Sequence, residues 1–211
     1  MGKAIIWDWN GTLLDDTEIC INGINKLLGA RKLPLLDTGK YRDIFTFPVR
    51  DYYEKAGFDF SLEPFDIPAM QFIDFYRDNI IHARLFPEAV EILENFKERG
   101  FRQTVLSAME NGFLHQSIRE KGIYEYFELI AGINDHFADS KTIQARMLME
   151  RMKVNPDQTT IIGDTIHDYE VAQEIGCRVL LIANGHQSAE RLEKLDCHVI
   201  NSLSDIKNQF L

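Results

Sequence analysis

Short runs of apolar residues recur along the chain and predict buried β-strands. Five segments have this character: Lys3–Asp8, Arg102–Ser107, Glu128–Ala131, Thr159–Gly163 and Arg178–Ile182. Nearly continuous apolar runs, rather than alternating ones, are typical of strands that are covered on both faces, as in parallel sheets. The pattern therefore predicts a parallel sheet between layers of helices.

Helical spacing of apolar residues appears between these strands. A helix is predicted in the segment that Pro87 opens and Gly100 closes, because proline favours the first turn and glycine the end of a helix. A further helix is predicted over residues 166–175, stopped by Gly176. Alternating strands and helices favour an α/β fold, with a doubly wound, Rossmann-like parallel sheet.

The helix before the fourth strand is predicted to begin at Ser140, which suits an N-cap, and to end near Met152. Its expected core stripe consists of Ile143, Met147 and Leu148. These positions lie on one face at helical spacing.

The stretch from residue 16 to residue 82 departs from the strand–helix alternation. Its apolar residues recur at helical spacing, and four prolines divide it into short segments: Pro34, Pro48, Pro64 and Pro68. We therefore expect a small all-helical cap domain over residues 16–82, inserted after the first strand. Residues 1–15 and 83–211 would form the α/β core domain.

Charge and composition narrow the range of partners. The chain has 211 residues and a formal net charge of −10, which argues against binding to nucleic acid or to an anionic membrane. Its three cysteines are far apart and form no Cys-x-x-Cys pair, as expected for reduced thiols. No apolar run approaches the length of a signal-peptide core or a membrane span. We expect a cytoplasmic protein, either a monomer or a weak homodimer.

Polar residues that are suited to catalysis or ligand binding follow the predicted strands. Asp8 ends the first strand, Ser107 the second and Asp164 the fourth, while Lys141 lies at the start of the preceding helix. Because ligands bind beyond the carboxyl ends of parallel strands, these groups are expected to converge. Carboxylates suit Mg²⁺, and the hydroxyl and ammonium groups suit phosphoryl oxygens.

The four segments resemble, in order, the motifs of the haloacid dehalogenase (HAD) superfamily. The matching residues are Asp8-Trp9-Asn10-Gly11-Thr12, Ser107, Lys141 and Gly163-Asp164-Thr165-Ile166-His167-Asp168. The match spans nearly the whole chain. The helical insert lies where the phosphoglycolate-phosphatase-like branch carries its cap.

This resemblance implies a Mg²⁺-dependent phosphatase that acts on a small phosphorylated metabolite. Asp8 would form an aspartyl-phosphate, with Asn10, Ser107 and Lys141 as the other catalytic positions. Phosphoryl binding would fall to Gly11, Thr12, Ser107 and Lys141. Mg²⁺ would be held by Asp8, the backbone carbonyl of Asn10 and Asp164, with Asp168 as an outer carboxylate.

Asn10 departs from the family pattern, which has Asp at this position as the general acid and base. A carboxamide can do neither task, and such help is typically worth about 10²–10⁴-fold in rate. Three consequences stay open: slow turnover, substrates with good leaving groups, or a proton donor from elsewhere. The candidate donors are His167, Asp16 and Glu18. His186, in the loop after the fifth strand, is not assigned to the site.

Other functions remain open at this stage. A phosphate-ligand binding or regulatory protein is favoured only by Asn10. A phosphonatase would tolerate Asn10, but it requires a cap lysine in the cleft, and the sequence places none of Lys26, Lys32 and Lys40 there. A dehalogenase is disfavoured by the presence of Asp164 and Asp168.

Overall fold

A six-stranded parallel sheet lies at the centre of the computed structural model, which describes residues 3–133 and 140–208. In chain order the strands are β1 (Ala4–Trp7), β2 (Leu14–Asp15), β3 (Arg84–Leu85), β4 (Arg102–Glu110), β5 (Leu129–Ile133), β6 (Thr159–Gly163), β7 (Arg178–Ile182) and β8 (His198–Ile200). The sheet order is β5-β4-β1-β6-β7-β8. Strands β2 and β3 pair separately as an antiparallel ribbon.

Helices cover both faces of the sheet and fill the insert. They are α1 (Thr17–Ala30), α2 (Thr38–Ile44), α3 (Val49–Ala56), α4 (Asp66–Asn79), α5 (Ala89–Glu98), α6 (Asn111–Glu120), α7 (Ser140–Met152), α8 (Ile166–Ile175) and α9 (Ala189–Leu192). The predicted α/β fold class with a doubly wound parallel sheet is confirmed. Within the described part of the chain, no helix has the length and apolar character needed to cross a membrane.

The uninterrupted apolar sequence of β1 is explained by its position in the sheet. Successive side chains of a strand point to opposite faces of the sheet. Ile5 and Trp7 pack into the cluster that includes α5 and α6, whereas Ala4 and Ile6 pack into the cluster formed with α7 and α8. Because both faces are covered, every residue of β1 is fully buried.

Two of the five predicted strands, Thr159–Gly163 and Arg178–Ile182, have the predicted ends, whereas the other three have altered ends. The short strands β2, β3 and β8 were not predicted. Strand β4 continues beyond Ser107 to Glu110, with an irregular pairing to β5 between Leu106 and Glu110. The edge strand β8 was not predicted, because its three residues are too few to show a periodicity.

The predicted core stripe of α7 was partly wrong. Leu148 is buried, but Ile143 and Met147 are 58% and 48% exposed. The buried face instead contains Ala145, Leu148, Met149 and Met152. These residues continue, at steps of three and four, the face on which Lys141 lies, and this face packs against the sheet.

The segment between β2 and β3 contains α1 to α4 and no strand, as its helical spacing predicted. Its own core is formed by residues of α1, α2 and α3, and among them Ile24, Tyr41 and Tyr53 are almost fully buried. The ribbon pairs Leu14 with Leu85, so the two ends of this segment lie side by side. The domain division at residues 16 and 82 stays a proposal, and this ribbon lies beside both boundaries.

Candidate active site

Asp8 lies directly after the central strand β1, at the carboxyl edge of the sheet. Its backbone N–H donates to the carbonyl of Ile162 on β6 at 2.8 Å, so the parallel pairing continues up to this residue. Its carboxylate accepts a hydrogen bond from Lys141 Nζ at 2.8 Å. The ammonium group of Lys141 also lies 2.7 Å from Asp168, so one buried cation bridges two buried carboxylates.

Asp168 is held in place from two directions. One oxygen accepts from Lys141, and the other accepts from the backbone N–H and hydroxyl of Thr165 at 3.1 and 2.6 Å. Thr165 and Asp168 thereby form the capping box that begins α8. Asp168 therefore both stabilises its helix and positions Lys141.

Three carboxylates meet at this point: Asp8, Asp164 and Asp168 have oxygen atoms within 4.8 Å of one another. Burial raises the pKa of Asp8 well above its usual value; the charge of Lys141 opposes this rise, and the like charges of Asp168 and Asp164 add to it. Burial likewise raises the pKa of Asp164 to about 6. Burial acts in the same sense on Asp168, but the charge and hydrogen bond of Lys141 bring its pKa below the usual range.

This donor set fits a divalent cation. Among the described residues, three buried carboxylates share the ammonium group of Lys141, so these four groups carry an excess of negative charge when all of them are ionised. Mg²⁺ prefers hard oxygen ligands and commonly binds through one or two carboxylates. Asp8 and Asp164 are therefore suited to hold it, and its charge would favour the ionised form of Asp8.

Gly11 and Thr12 shape the loop beneath the site. Gly11 has φ of 71°, and a Cβ at this position would lie 2.6 Å from His186 and overlap the Asp164 carboxylate. The Thr12 hydroxyl donates to Asp164 at 3.1 Å. Both residues thus position Asp164, and their predicted role in phosphoryl binding remains a prediction.

Asn10 is the centre of a hydrogen-bond network. Its Nδ2 donates to Asp16 at 2.9 Å and to the Tyr76 hydroxyl at 2.7 Å, while its Oδ1 accepts from the Ser107 hydroxyl at 3.2 Å. Tyr76 in turn donates to Asp16 at 2.6 Å. The structure therefore brings Ser107 to Asn10, as the predicted convergence requires.

A model of the haloacid dehalogenase-like hydrolase family matches residues 5–182, which is most of the chain. The chain belongs to this family. The family resemblance derived from the motifs is thus confirmed.

Several relatives of this haloacid dehalogenase-like hydrolase cover nearly its whole length. The N-acetylmuramic acid 6-phosphate phosphatase of Pseudomonas putida is 24% identical over 87% of the chain and 84% of its own length. The phosphoglycolate phosphatase of Thiobacillus denitrificans is 29% identical over 96% and 93%. With the family match, these relatives confirm the predicted enzyme class, a HAD-type phosphoric monoester hydrolase of the phosphoglycolate-phosphatase-like branch.

A solved structure supports the fold. The haloacid dehalogenase-like hydrolase from Streptococcus pneumoniae superimposes with a TM-score of 0.86 at 19% identity, covering 100% of this chain and 99% of its own. At this identity the likeness shows the shared fold alone.

Asp16 is buried and has partners both near and far in sequence. It accepts from the backbone N–H of Gly11 at 3.0 Å and lies 3.3 Å from His186 Nε2. Burial raises the pKa of Asp16, but His186 and the hydrogen bonds of Tyr76 and Asn10 bring it below the usual value. Burial lowers the pKa of His186, but Asp16 raises it to about 9, so the pair is ionised at neutral pH.

Tyr76 and His186 were not identified as site residues from the sequence. Asp16 was named only as a possible proton donor. Tyr76 lies on α4, and His186 follows β7, so only the tertiary structure brings them to Asn10 and Asp16. The adjacent acids Asp15 and Asp16 give no local signal that one is exposed and the other is buried.

A cavity of about 240 Å³ lies between the sheet edge and the insert, and its lining includes Asp8, Asn10, Ser107 and Lys141. Of the predicted site residues, these four line the cavity, whereas Gly11, Thr12, Asp164 and Asp168 lie behind its wall. Among the suggested proton donors, Asp16 lines it, but Glu18 and His167 do not. Lys26, Lys32 and Lys40 are exposed and do not line it, so they provide no support for a phosphonatase.

Proposed function

We propose that this protein is a Mg²⁺-dependent phosphatase that hydrolyses a small phosphorylated compound through an aspartyl-phosphate on Asp8. One observation carries the proposal. The ammonium group of Lys141 lies 2.8 Å from Asp8 and 2.7 Å from Asp168, and this buried group opens into a cavity of small-molecule size. A nucleophilic carboxylate beside a fixed positive charge is suited to phosphoryl transfer.

The chemistry proceeds in two displacements. A carboxylate oxygen of Asp8 bonds to phosphorus as the bond to the leaving oxygen breaks, and water then displaces the phosphoryl group from Asp8. Lys141 neutralises charge on Asp8 and on the phosphoryl oxygens, while Asp168 holds Lys141 in position. A bound Mg²⁺ would supply a Lewis acid that stabilises negative charge on the phosphoryl oxygens.

Asn10 limits the assistance available in both displacements. Its carboxamide donates to Asp16 and Tyr76, and its oxygen accepts from Ser107. It has no proton to give to a leaving alkoxide, and it cannot remove one from water. The proposal therefore includes slow hydrolysis of the aspartyl-phosphate and a preference for leaving groups that depart as stable anions.

The relatives support the reaction type more than the substrate. Their names specify two different phosphate esters, N-acetylmuramic acid 6-phosphate and phosphoglycolate. At 24% and 29% identity, the residues that contact the remainder of the substrate are free to differ. The substrate must therefore be inferred from the cavity itself.

A second function is favoured by the same network. Because every polar atom of the Asn10 side chain has a partner, the site is stable without a proton carrier, as a binding protein for phosphorylated ligands would require. This alternative predicts ligand binding without turnover. It is separated from the phosphatase by direct measurement of phosphate release.

The experiment compares phosphate release from acetyl phosphate and a panel of phosphate esters, with Mg²⁺ and with EDTA. We expect turnover by the native chain that needs Mg²⁺ and disappears in Asp8→Asn. Asp15→Asn is the matched control, since Asp15 lies near Asp8 in sequence but is exposed and does not line the cavity. Equal activity of native chain and Asp8→Asn would contradict the proposal, and binding without release would favour the second function.

A further inference from the structure

We infer that the preferred substrate is an aryl phosphate, in which the phosphoryl group is esterified to a phenolic ring. This inference rests on the proposed phosphatase function and specifies its substrate class. Two independent features support it: the aromatic wall of the cavity over Asp8, and the missing proton donor at Asn10.

The cavity wall contributed by the insert is aromatic. Phe45 lies at its centre, with ring centroids 5.4 Å from Tyr41, 5.6 Å from Phe47, 5.2 Å from Tyr52 and 5.1 Å from His186. All of these residues line the cavity. Aromatic rings pack favourably against one another in stacked or edge-on arrangements, so this wall is suited to a flat ring.

Further residues of the cavity lining add to this apolar surface. Met109, Phe113 and Ile133 from the sheet side line the cavity, as do Phe72 and Tyr76 from α4. An apolar cavity of about 150 Å³ is enough to hold a benzene molecule. The 240 Å³ present here therefore has room for a single ring together with the phosphoryl group.

The charged groups of the cavity wall have partners or lie at its rim. His186 pairs with Asp16, and Lys141 pairs with Asp8 and Asp168. Arg77 is exposed, and its guanidinium lies 5.8 Å from the Phe113 ring. Within the described residues, the interior therefore has no free cation for the carboxylate of a substrate such as phosphoglycolate, and Arg77 at the rim is the group that would have to bind it.

The buried hydroxyl of Tyr52 also indicates that the cavity binds a ligand. Tyr52 is 3% exposed, it lines the cavity, and its hydroxyl has no hydrogen-bond partner among the residues that the structure describes. A buried hydroxyl without a partner costs free energy, and a ligand atom can satisfy it. We therefore expect the ring to carry a polar substituent that reaches Tyr52.

The leaving group explains how Asn10 is tolerated. When Asp8 attacks phosphorus, the P–O bond to the ring breaks and its electron pair leaves on the phenolate oxygen. A phenol has a pKa of about 10, as in the tyrosine side chain, so it leaves as an anion far more readily than an alkoxide. Water then attacks the aspartyl-phosphate, giving phosphate and free Asp8, and the phenolate takes up the proton that water releases.

The first experiment measures Mg²⁺-dependent kcat/KM for phenyl phosphate, acetyl phosphate and 2-phosphoglycolate. Acetyl phosphate has a good leaving group but no ring, so it separates ring recognition from leaving-group reactivity. We expect phenyl phosphate to exceed both by at least tenfold. We also expect a burst of phenol, because the second displacement lacks a general base.

The second experiment tests the wall directly. Phe45→Leu keeps an apolar side chain but removes the ring, and we expect KM for phenyl phosphate to rise about three- to tenfold, the range of an aromatic pair. Phe60→Leu is the control, since Phe60 is an aromatic residue of the insert that does not line the cavity. Among the hydroxyphenyl phosphate isomers, we expect one to have a lower KM than phenyl phosphate. Tyr52→Phe is expected to remove this difference in KM.

Binding of unreactive analogues makes the inference independent of turnover. We expect the native chain to bind phenylphosphonate at least tenfold more tightly than methylphosphonate, as measured by calorimetry. Equal binding, or hydrolysis of 2-phosphoglycolate as efficient as that of phenyl phosphate, would overturn the inference while the phosphatase proposal stands. Absence of release from every compound by folded protein would overturn both.

Discussion

The carboxamide nitrogen of Asn10 donates to the carboxylate of Asp16 at 2.9 Å. This contact makes the two residues a matched pair. An aspartate at position 10 would place a second carboxylate against Asp16, which is buried and ionised. The absence of the family's general acid is thus coupled to the presence of an acid six residues later.

The first prediction concerns this pair. Asn10→Asp alone is expected to gain little activity and to lose about 1–3 kcal/mol of stability, because two buried carboxylates lose their shared hydrogen bond. The exchange Asn10→Asp with Asp16→Asn restores the donor–acceptor match. We expect it to hydrolyse alkyl phosphates at least tenfold faster than the native chain, since complete acid–base help is worth about 10²–10⁴-fold.

Turnover of glycerol phosphate and thermal unfolding of the native chain, both single variants and the exchanged pair provide the measurement. Asp16→Asn alone is the control for loss of the Asp16–His186 ion pair. If Asn10→Asp alone were as active as the exchanged pair, the coupling would be wrong.

The second prediction concerns pH. The pKa of His186 is raised to about 9 by Asp16 and Asp164, against the effect of burial, while the neighbouring Tyr41 hydroxyl stays neutral because burial raises its pKa. The unfolded histidine has a pKa of about 6.5. The ion pair therefore contributes fully below about pH 6.5, and this contribution of roughly 3 kcal/mol at most is lost as the pH rises through 9.

Urea unfolding at pH 7 and pH 10 tests this dependence against His186→Gln. We expect the native chain to lose more stability over this interval than the variant, since only the native chain has the group that titrates. A parallel loss in both proteins would mean that His186 carries no charge at neutral pH.

The third prediction concerns the divalent cation. Because Asp8, Asp164 and Asp168 are buried together, Mg²⁺ bound to the folded chain is expected to raise its melting temperature. Asp164→Asn should remove most of this increase, whereas the exposed Asp15→Asn should keep it. Scanning calorimetry with Mg²⁺ and with EDTA measures the difference, and an equal shift in both variants would argue against the assigned ligands.

The fourth prediction separates backbone strain from steric overlap. Gly11 and Gly100 both have positive φ, 71° and 75°. A Cβ at Gly11 would meet Asp164 and His186, whereas a Cβ at Gly100 would have no atom of the described residues within 4 Å. Gly100→Ala is expected to lower the free energy of unfolding by about 1 kcal/mol. Gly11→Ala should lower it by about 1–3 kcal/mol more, because it overpacks a buried site.

Chemical denaturation of the two alanine variants supplies these free energies. Phosphate release should fall in Gly11→Ala and stay near the native value in Gly100→Ala. Equal destabilisation of the two would show that the loop yields without displacing Asp164.

Much of the structure that positions the site could be predicted from local sequence. The apolar run before Asp8 and the helix that begins after Asp164 depend on nearby residues, since Gly11 allows the turn and Thr165 and Asp168 cap the helix. The order of strands and helices then places Asp8, Ser107 and Asp164 at one edge of the sheet, because parallel strands end together.

Other features depended on packing between distant parts of the chain. The spacing of apolar residues in α7 allowed Ile143 and Met147 as core positions, and only contact with the sheet turned Lys141, Ala145 and Leu148 inwards instead.

The sequence alone determined the fold class, and it supplied the candidate site residues, since both follow from short motifs and local periodicity. The tertiary structure alone decided the surroundings of those side chains. Asn10 meets Asp16 and Tyr76, and His186 reaches Asp16 from the loop after β7, through contacts between separate elements. The reason is physical: burial and pairing of charges depend on which elements pack together, and no local pattern records that.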